Sequence, residues 1–228
     1  MRPSLLPTLT LVLGSCATLD GDLLPVVFEQ TCAEARCRDD FVFTDGAKWR
    51  MHTSPHAPAL ELAGGSDYRP PHRSPHSIAL IEAVEVRDFD LDVDLMQTGR
   101  NYGHRDLCLF FGFQSKRHFY YTHLATSPDA NAHNVFLVND APRTNLLAPR
   151  AAGVDWGRDT WHHVRVERRF DEGTIKVFWD GQPEPILIAE DKTFEWGRVG
   201  FGSFDDSGLL RNIVLRARDH RVAQGDPF

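Results

Sequence analysis

Apolar and polar residues alternate with a period of two along most of this chain, a rhythm that predicts strands rather than helices. Phe89-Asp90-Leu91-Asp92-Val93-Asp94-Leu95 sets its apolar side chains on one face and its aspartates on the other, as a strand with a core side and a wet side requires. Trp161 to Arg168 alternates in the same way. Asp171-Glu172-Gly173 then supplies a tight turn, and Thr174 to Trp179 returns before Asp180-Gly181. Together these predict a regular hairpin over 161–179. Further strands are expected near Val26–Phe28, at 41–43 ahead of the Asp45-Gly46 turn signal, and at 77–85 and 86–96. Others follow across 104–113, 118–124, 133–139, 197–204 and 212–217. Prolines between Ser54 and Pro75 exclude a long helix there, and no segment carries a long 3.6-residue apolar period or an internal repeat. The class is all-β, and the expected architecture is a two-sheet antiparallel β-sandwich.

The same alternation sorts the residues that could do chemistry. His104, Asp106, Cys108 and Phe110 fall on one side of a strand, whereas Leu107, Leu109, Phe111 and Phe113 fall on the other. Gly112 marks a bulge or a close approach. Phe119, Tyr121 and His123 share a face of the next strand, and the 133–139 strand follows after a short polar loop. Three neighbouring strands would bring His104, Asp106, Tyr121, His123 and either His133 or Asn134 onto one sheet surface. The stretch His104 to Arg143 thus concentrates polar groups that a purely structural sheet does not need. His162 and His163 are strand neighbours and point to opposite faces, which removes them as a chelating pair.

Composition bounds the partners. The chain has 228 residues and a formal charge of -7, and its scattered arginines form no basic stripe to neutralise a nucleic-acid backbone. One domain with a substantial core is expected at this length, as a monomer. Residues 1–15 read as a signal peptide, and Leu13-Gly14-Ser15-Cys16 resembles the lipobox of bacterial lipoproteins, which implies acylation at Cys16. Residues 16–27 read as a tether, 28–219 as the domain and 220–228 as a tail. The expected product is an exported cell-envelope lipoprotein, at the outer membrane or cell surface, touching the membrane only through its lipid. Export permits a disulfide, and Cys32 and Cys37 are close enough to pair if their loop turns sharply. Cys108, alone in an apolar strand, reads as a buried thiol.

The segments WHHVRVERRFDEGTIKVFWDG and WGRVGFGSFDDSGLLRNIVLRA resemble the C-terminal half of concanavalin A-like and laminin G-like jelly rolls. Over nearly the whole chain beyond the signal, RSPHSIAL, YGHRDLCLFFGFQ, FYYTHLA, HNVFLVNDAPR and GSFDDSG are similar to exported bacterial keto-disaccharide hydrolase-like domains. The resemblance implies a poly- or oligosaccharide partner held on the concave sheet. On that footing His104, Asp106, Tyr121 and His123 are the candidate catalytic groups, and Arg73, Gln114, His133, Asn134, Asn139 and Arg143 the candidate sugar contacts.

Glycoside hydrolysis ordinarily takes two carboxylates about 5–10 Å apart, for which Asp106 with Asp129 or Asp140 is the available choice. Elimination from a uronate instead needs a cation on the substrate carboxylate and a His or Tyr to move the proton. Arg73, His104, Tyr121, His123 and Arg143 match that inventory better. A surface lipoprotein that binds glycan without cleaving it fits the sequence equally. No cofactor is required; the calcium common at the edge of related jelly rolls would fall to Asp45, Asp205 and Asp206.

Overall fold

The computed structural model describes residues 23–54, 58–148 and 152–228. The signal segment and Cys16 therefore lie outside the described residues. In chain order the strands are β1 (Val26–Gln30), β2 (Phe41–Phe43), β3 (Trp49–His52), β4 (Ala59–Leu62), β5 (Ser77–Ile81) and β6 (Val84–Val86). There follow β7 (Phe89–Gln97), β8 (Asp106–Ser115), β9 (His118–Ala125), β10 (Asn134–Asn139), β11 (Thr144–Asn145) and β12 (Trp161–Arg169). The last are β13 (Thr174–Trp179), β14 (Leu187–Glu190), β15 (Arg198–Ser203), β16 (Gly208–Ala217) and β17 (His220–Val222). Among the described residues helix is confined to 3-10 turns at Ala35–Asp40 and Gly46–Lys48. Cys37 in the first of these is disulfide-bonded to Cys32, just ahead of it.

Two antiparallel sheets face one another. One runs β14-β13-β12-β7-β16-β4-β3 with β1 also on β16, and the other β11-β10-β9-β8-β15-β5-β2. Between them lie Leu91, Val93 and Leu95 from β7, Leu107, Leu109 and Phe111 from β8, and Val164 and Val166 from β12, all essentially buried. Burial of this face is what drives the alternating strands to stack. The predicted hairpin is regular: Val164 pairs with Trp179 and Arg169 with Thr174, and Gly173 takes φ +80° in the turn.

Three strands set the register that matters for function. Cys108 pairs with His123 and Phe110 with Tyr121. Asn134 pairs with His123 and Phe136 with Tyr121. The bulge anticipated at Gly112 is present: the residue takes φ +55°, and the β8–β9 register slips between Phe111 and Ser115. Outlying segments also join the sheets, since β1 brings Val26 and Phe28 onto β16 and the Phe228 ring packs edge-on against Phe113.

Candidate functional site

The outer face of the seven-stranded sheet, where the sequence placed an open ligand surface, is largely closed. Ile78, Leu80, Cys108, Phe110, Phe113, Phe119, Tyr121, Phe136 and Val138 form a second apolar cluster, with Val42, Phe204 and Phe228 packed against it. Too many rings lie on this face for it to stay wet, so loop and C-terminal residues cover it. Tyr121 is fully buried, stacked at 5.0 Å on Phe136 and 5.8 Å on Phe110. The expectation of Tyr121 as a sugar-stacking or proton-moving surface residue is thereby corrected. Burial pushes its phenol far above the ordinary range, and its oxygen accepts a hydrogen bond from Arg143 at 2.6 Å.

What remains open is one end of that face, a cavity of about 380 Å³. Asp106 and His123 border it from the sheet, Arg143 and Asn131 from the β9–β11 connections, and Tyr102, His104 and Arg100 from the loop before β8. Arg73, His76, Phe204 and Asp205 close the far side. Six of the residues singled out from sequence, Arg73, His104, Asp106, His123 and Arg143 together with Asp205 of the calcium set, therefore come together. The others do not. Gln114 is exposed and donates to the Trp196 carbonyl at 3.0 Å. Asn134 holds both the carbonyl (2.9 Å) and the amide (3.2 Å) of Leu147, pinning the following loop. Asn139 is exposed at the far end of β10, opposite His118. His133 borders a separate cavity beside Trp179.

The floor of the cavity is a saturated network. Asp106, buried at 1 % exposure, meets His123 Nε2 at 2.6 Å through Oδ2 and accepts the Ser203 hydroxyl through Oδ1. His123 Nδ1 accepts the backbone N–H of His133 at 3.3 Å, which leaves Nε2 as the protonated nitrogen donating to Asp106. The Asp106 backbone N–H donates to Asp206 at 2.9 Å, and the Tyr102 hydroxyl donates to the same carboxylate at 2.8 Å. Burial pushes the Asp206 carboxyl up to about 6.

The wall and rim differ in kind from the floor. Arg143 forks between the Tyr121 hydroxyl and Asn131, whose carbonyl and side-chain oxygens lie at 3.2 and 3.1 Å. Its guanidinium lies over Phe136 at 4.5 Å and over Phe204 at 5.2 Å. His104 pairs with Asp129 at 2.9 Å. Burial, with Arg69 and Arg73 nearby, holds the pKa of His76 below its ordinary value. Arg73 and Arg100 are exposed, and among the described residues neither has a carboxylate partner; Arg100 lies 4.8 Å over the Tyr102 ring.

Tyr102, Arg100, His76, Asn131 and Phe204 were not singled out from sequence. The available signal was the position of Arg100-Asn101-Tyr102 in a loop that feeds directly into β8, since loops at strand ends carry ligand contacts. As for calcium, Asp45 accepts the Ala47 amide at 3.0 Å and Asp206 is committed to Tyr102 and Asp106. Among the described residues no group of three or more His, Cys, Asp or Glu is placed to hold a metal ion.

Sheet order, register and the covered face together decide the architecture. It is a concanavalin A-like jelly roll. The carbohydrate-binding module CBM66 from Bacillus subtilis superposes with a TM-score of 0.55 at 14 % identity, over 78 % of this chain and 96 % of that one. Domain 4 of AbnA, an extracellular arabinanase from Geobacillus stearothermophilus, in complex with arabinotriose, gives 0.52 at 8 % identity over 86 % and 94 %. The lectin UEA-II complexed with galactose gives 0.50 at 13 % identity over 83 % and 97 %. At such identities the jelly roll is what is shared. No protein-family model matches the sequence, and no curated protein does.

Proposed function

We propose that the protein binds an oligosaccharide in the cavity between Arg143 and the Arg100–His104 loop. The observation that carries this reading is the cavity itself: about 380 Å³ at the end of a jelly-roll sheet, with a ring wall at Phe204 and arginines on its rim that no carboxylate among the described residues occupies. Concave sites with a few convergent polar groups and an apolar wall are how proteins hold small ligands. Support also comes from the structural neighbours, among which are a carbohydrate-binding module and sugar-bound domains. In this reading Arg143, fixed by Tyr121 and Asn131, is the oriented contact, and His104, Arg73 and Arg100 adapt around the sugar.

The same geometry favours binding over bond cleavage by the residues named from sequence. Both carboxylate oxygens of Asp106 and both ring nitrogens of His123 are already hydrogen-bonded within the fold. General acid–base work would ask one of these bonds to be exchanged for a bond to substrate, whereas binding asks nothing of them. Titration calorimetry against a panel of oligosaccharides tests the proposal. At least one sugar should bind, and Arg143→Ala should weaken it about thirtyfold, the loss of roughly 2 kcal/mol of charge-assisted hydrogen bonding. Unchanged affinity in that variant, or new reducing ends appearing during incubation, would overturn it.

Export and acylation at Cys16 belong to the same proposal, with the protein presented at the cell envelope as a monomer. Cys16→Ser should move it from the membrane fraction to the soluble fraction.

A further inference from the structure

A second cleft of about 270 Å³ adjoins the cavity, and the two share Arg100. Gln97, Thr98 and Gly99 line this cleft on one side, and Arg105, Arg158 and Asp159 are among the residues that complete it. Arg105 is the unusual member. It is only 4 % exposed, one terminal nitrogen donates to the Gly157 carbonyl at 2.7 Å, and its Nε has no hydrogen-bond partner among the described residues. A buried guanidinium left partly unsatisfied costs free energy unless something anionic or hydrogen-bonding meets it. No carboxylate of the described chain pairs with Arg105, Arg100 or Arg158, although the whole sequence carries 32 Asp and Glu against 25 Lys and Arg. In this acidic protein Arg143, Arg73, Arg100, Arg105 and Arg158 line two joined clefts that hold only Asp106, Asp205 and Asp159 as their acids. Of these acids, Asp106 is consumed by Ser203 and His123.

Resting on the glycan-binding reading above, we propose that the ligand is an acidic oligosaccharide that runs from the Arg143 cavity past Arg100 into the Arg105 cleft. Its negative groups, carboxylate or sulfate, recur along the chain and meet successive arginines, because guanidinium forks match planar oxyanions. The single sugar unit at Arg143 anchors it, and the Arg105–Arg158 end reads its length and charge.

The test is calorimetry with three probe series: di- and hexagalacturonate, a sulfated hexasaccharide, and maltohexaose as the uncharged chain. An acidic hexasaccharide should bind at least tenfold more tightly than the disaccharide and than maltohexaose, and raising the salt concentration should weaken it. Preference between the uronate and the sulfated series assigns the anion. Arg158→Ala, an exposed position where folding is safe, and Arg105→Gln should each cut hexasaccharide affinity about tenfold and leave disaccharide affinity unchanged. Arg143→Ala should weaken both. If maltohexaose binds as well as the acidic chains, or if affinity ignores length and both cleft variants are silent, the extended acidic ligand is overturned while the glycan-binding cavity stands. If no glycan of any series binds, the cavity reading itself falls.

Discussion

Acids and arginines stand on both outer sides of the sandwich and are used in opposite ways. On the eight-stranded sheet, the β7 aspartates form a closed ladder. Asp90 meets Arg169 at 2.8 Å and Arg165 at 3.4 Å, Asp92 meets Arg216 at 2.5 Å, and Asp94 accepts from Asn212 at 2.7 Å. His163 bridges the last two, with Nε2 at 3.1 Å from Asp92 and Nδ1 at 3.2 Å from Asp94. Every acid there has its cation on a neighbouring strand. At the end of the seven-stranded sheet the acids are turned inward, onto Ser203, His123 and Tyr102, and the arginines of the rim are left without them. Charge that is answered within the fold is structure; charge that the fold leaves unanswered at a cavity is available to a ligand.

The comparison breaks most sharply at Asp106. Asp106→Ala should cost about 3 kcal/mol in urea unfolding, because it strands the buried His123 and Ser203 donors; a loss under 1 kcal/mol would show that the floor is not a network.

Arg143→Ala comes next. Besides the affinity loss already stated, it should cost about 1 kcal/mol of stability, since the buried Tyr121 hydroxyl loses its partner. Arg143→Lys should recover stability more fully than affinity, because an ammonium lacks the fork.

Asp206 sharpens the contrast through pH. Its folded pKa, raised to about 6 by burial, lies above the unfolded carboxylate value of about 3.9. The folded state therefore binds more protons between those values, and its stability falls as pH rises from about 4 to 6. Asp206→Asn keeps acceptors for Tyr102 and the Asp106 amide and should flatten that slope, by about 1–2 kcal/mol at pH 7 in parallel unfolding curves.

The smallest effect is expected on the paired face. Asp92→Asn should change stability by about 1 kcal/mol and leave oligosaccharide affinity unchanged, because the amide keeps an acceptor oxygen for Arg216 and His163 in this half-buried ladder. A large loss of binding in that variant would erase the distinction between the two faces.

Much of the sandwich was legible in the chain because period-two burial is a local property: β7, β8, β9, the β12–β13 hairpin and the Gly112 bulge follow from residues read in order. The short strands β4 and β14 were not: Ala59–Leu62 is drawn out by Gly208–Leu210 far along the sequence, and Leu187–Glu190 is a four-residue edge strand on β13, too short to show a period. Sequence also determined which side chains share a face. His123 and Asp106 were placed together correctly by alternation alone.

What alternation does not encode is what covers a face, and the tertiary structure decided that. Tyr121 and His123 stand on the same side of one strand, yet packing buried Tyr121 under Phe136 and Arg143 while leaving the cavity beside His123. The rim was assembled from Arg73, Arg100 and Phe204, which come from separate loops and meet only once the sheets have stacked. Pairing is likewise a three-dimensional fact: Asp92 and Asp106 are indistinguishable as letters. Only strand order gives one an arginine across the sheet and the other a histidine and a serine beneath a cavity.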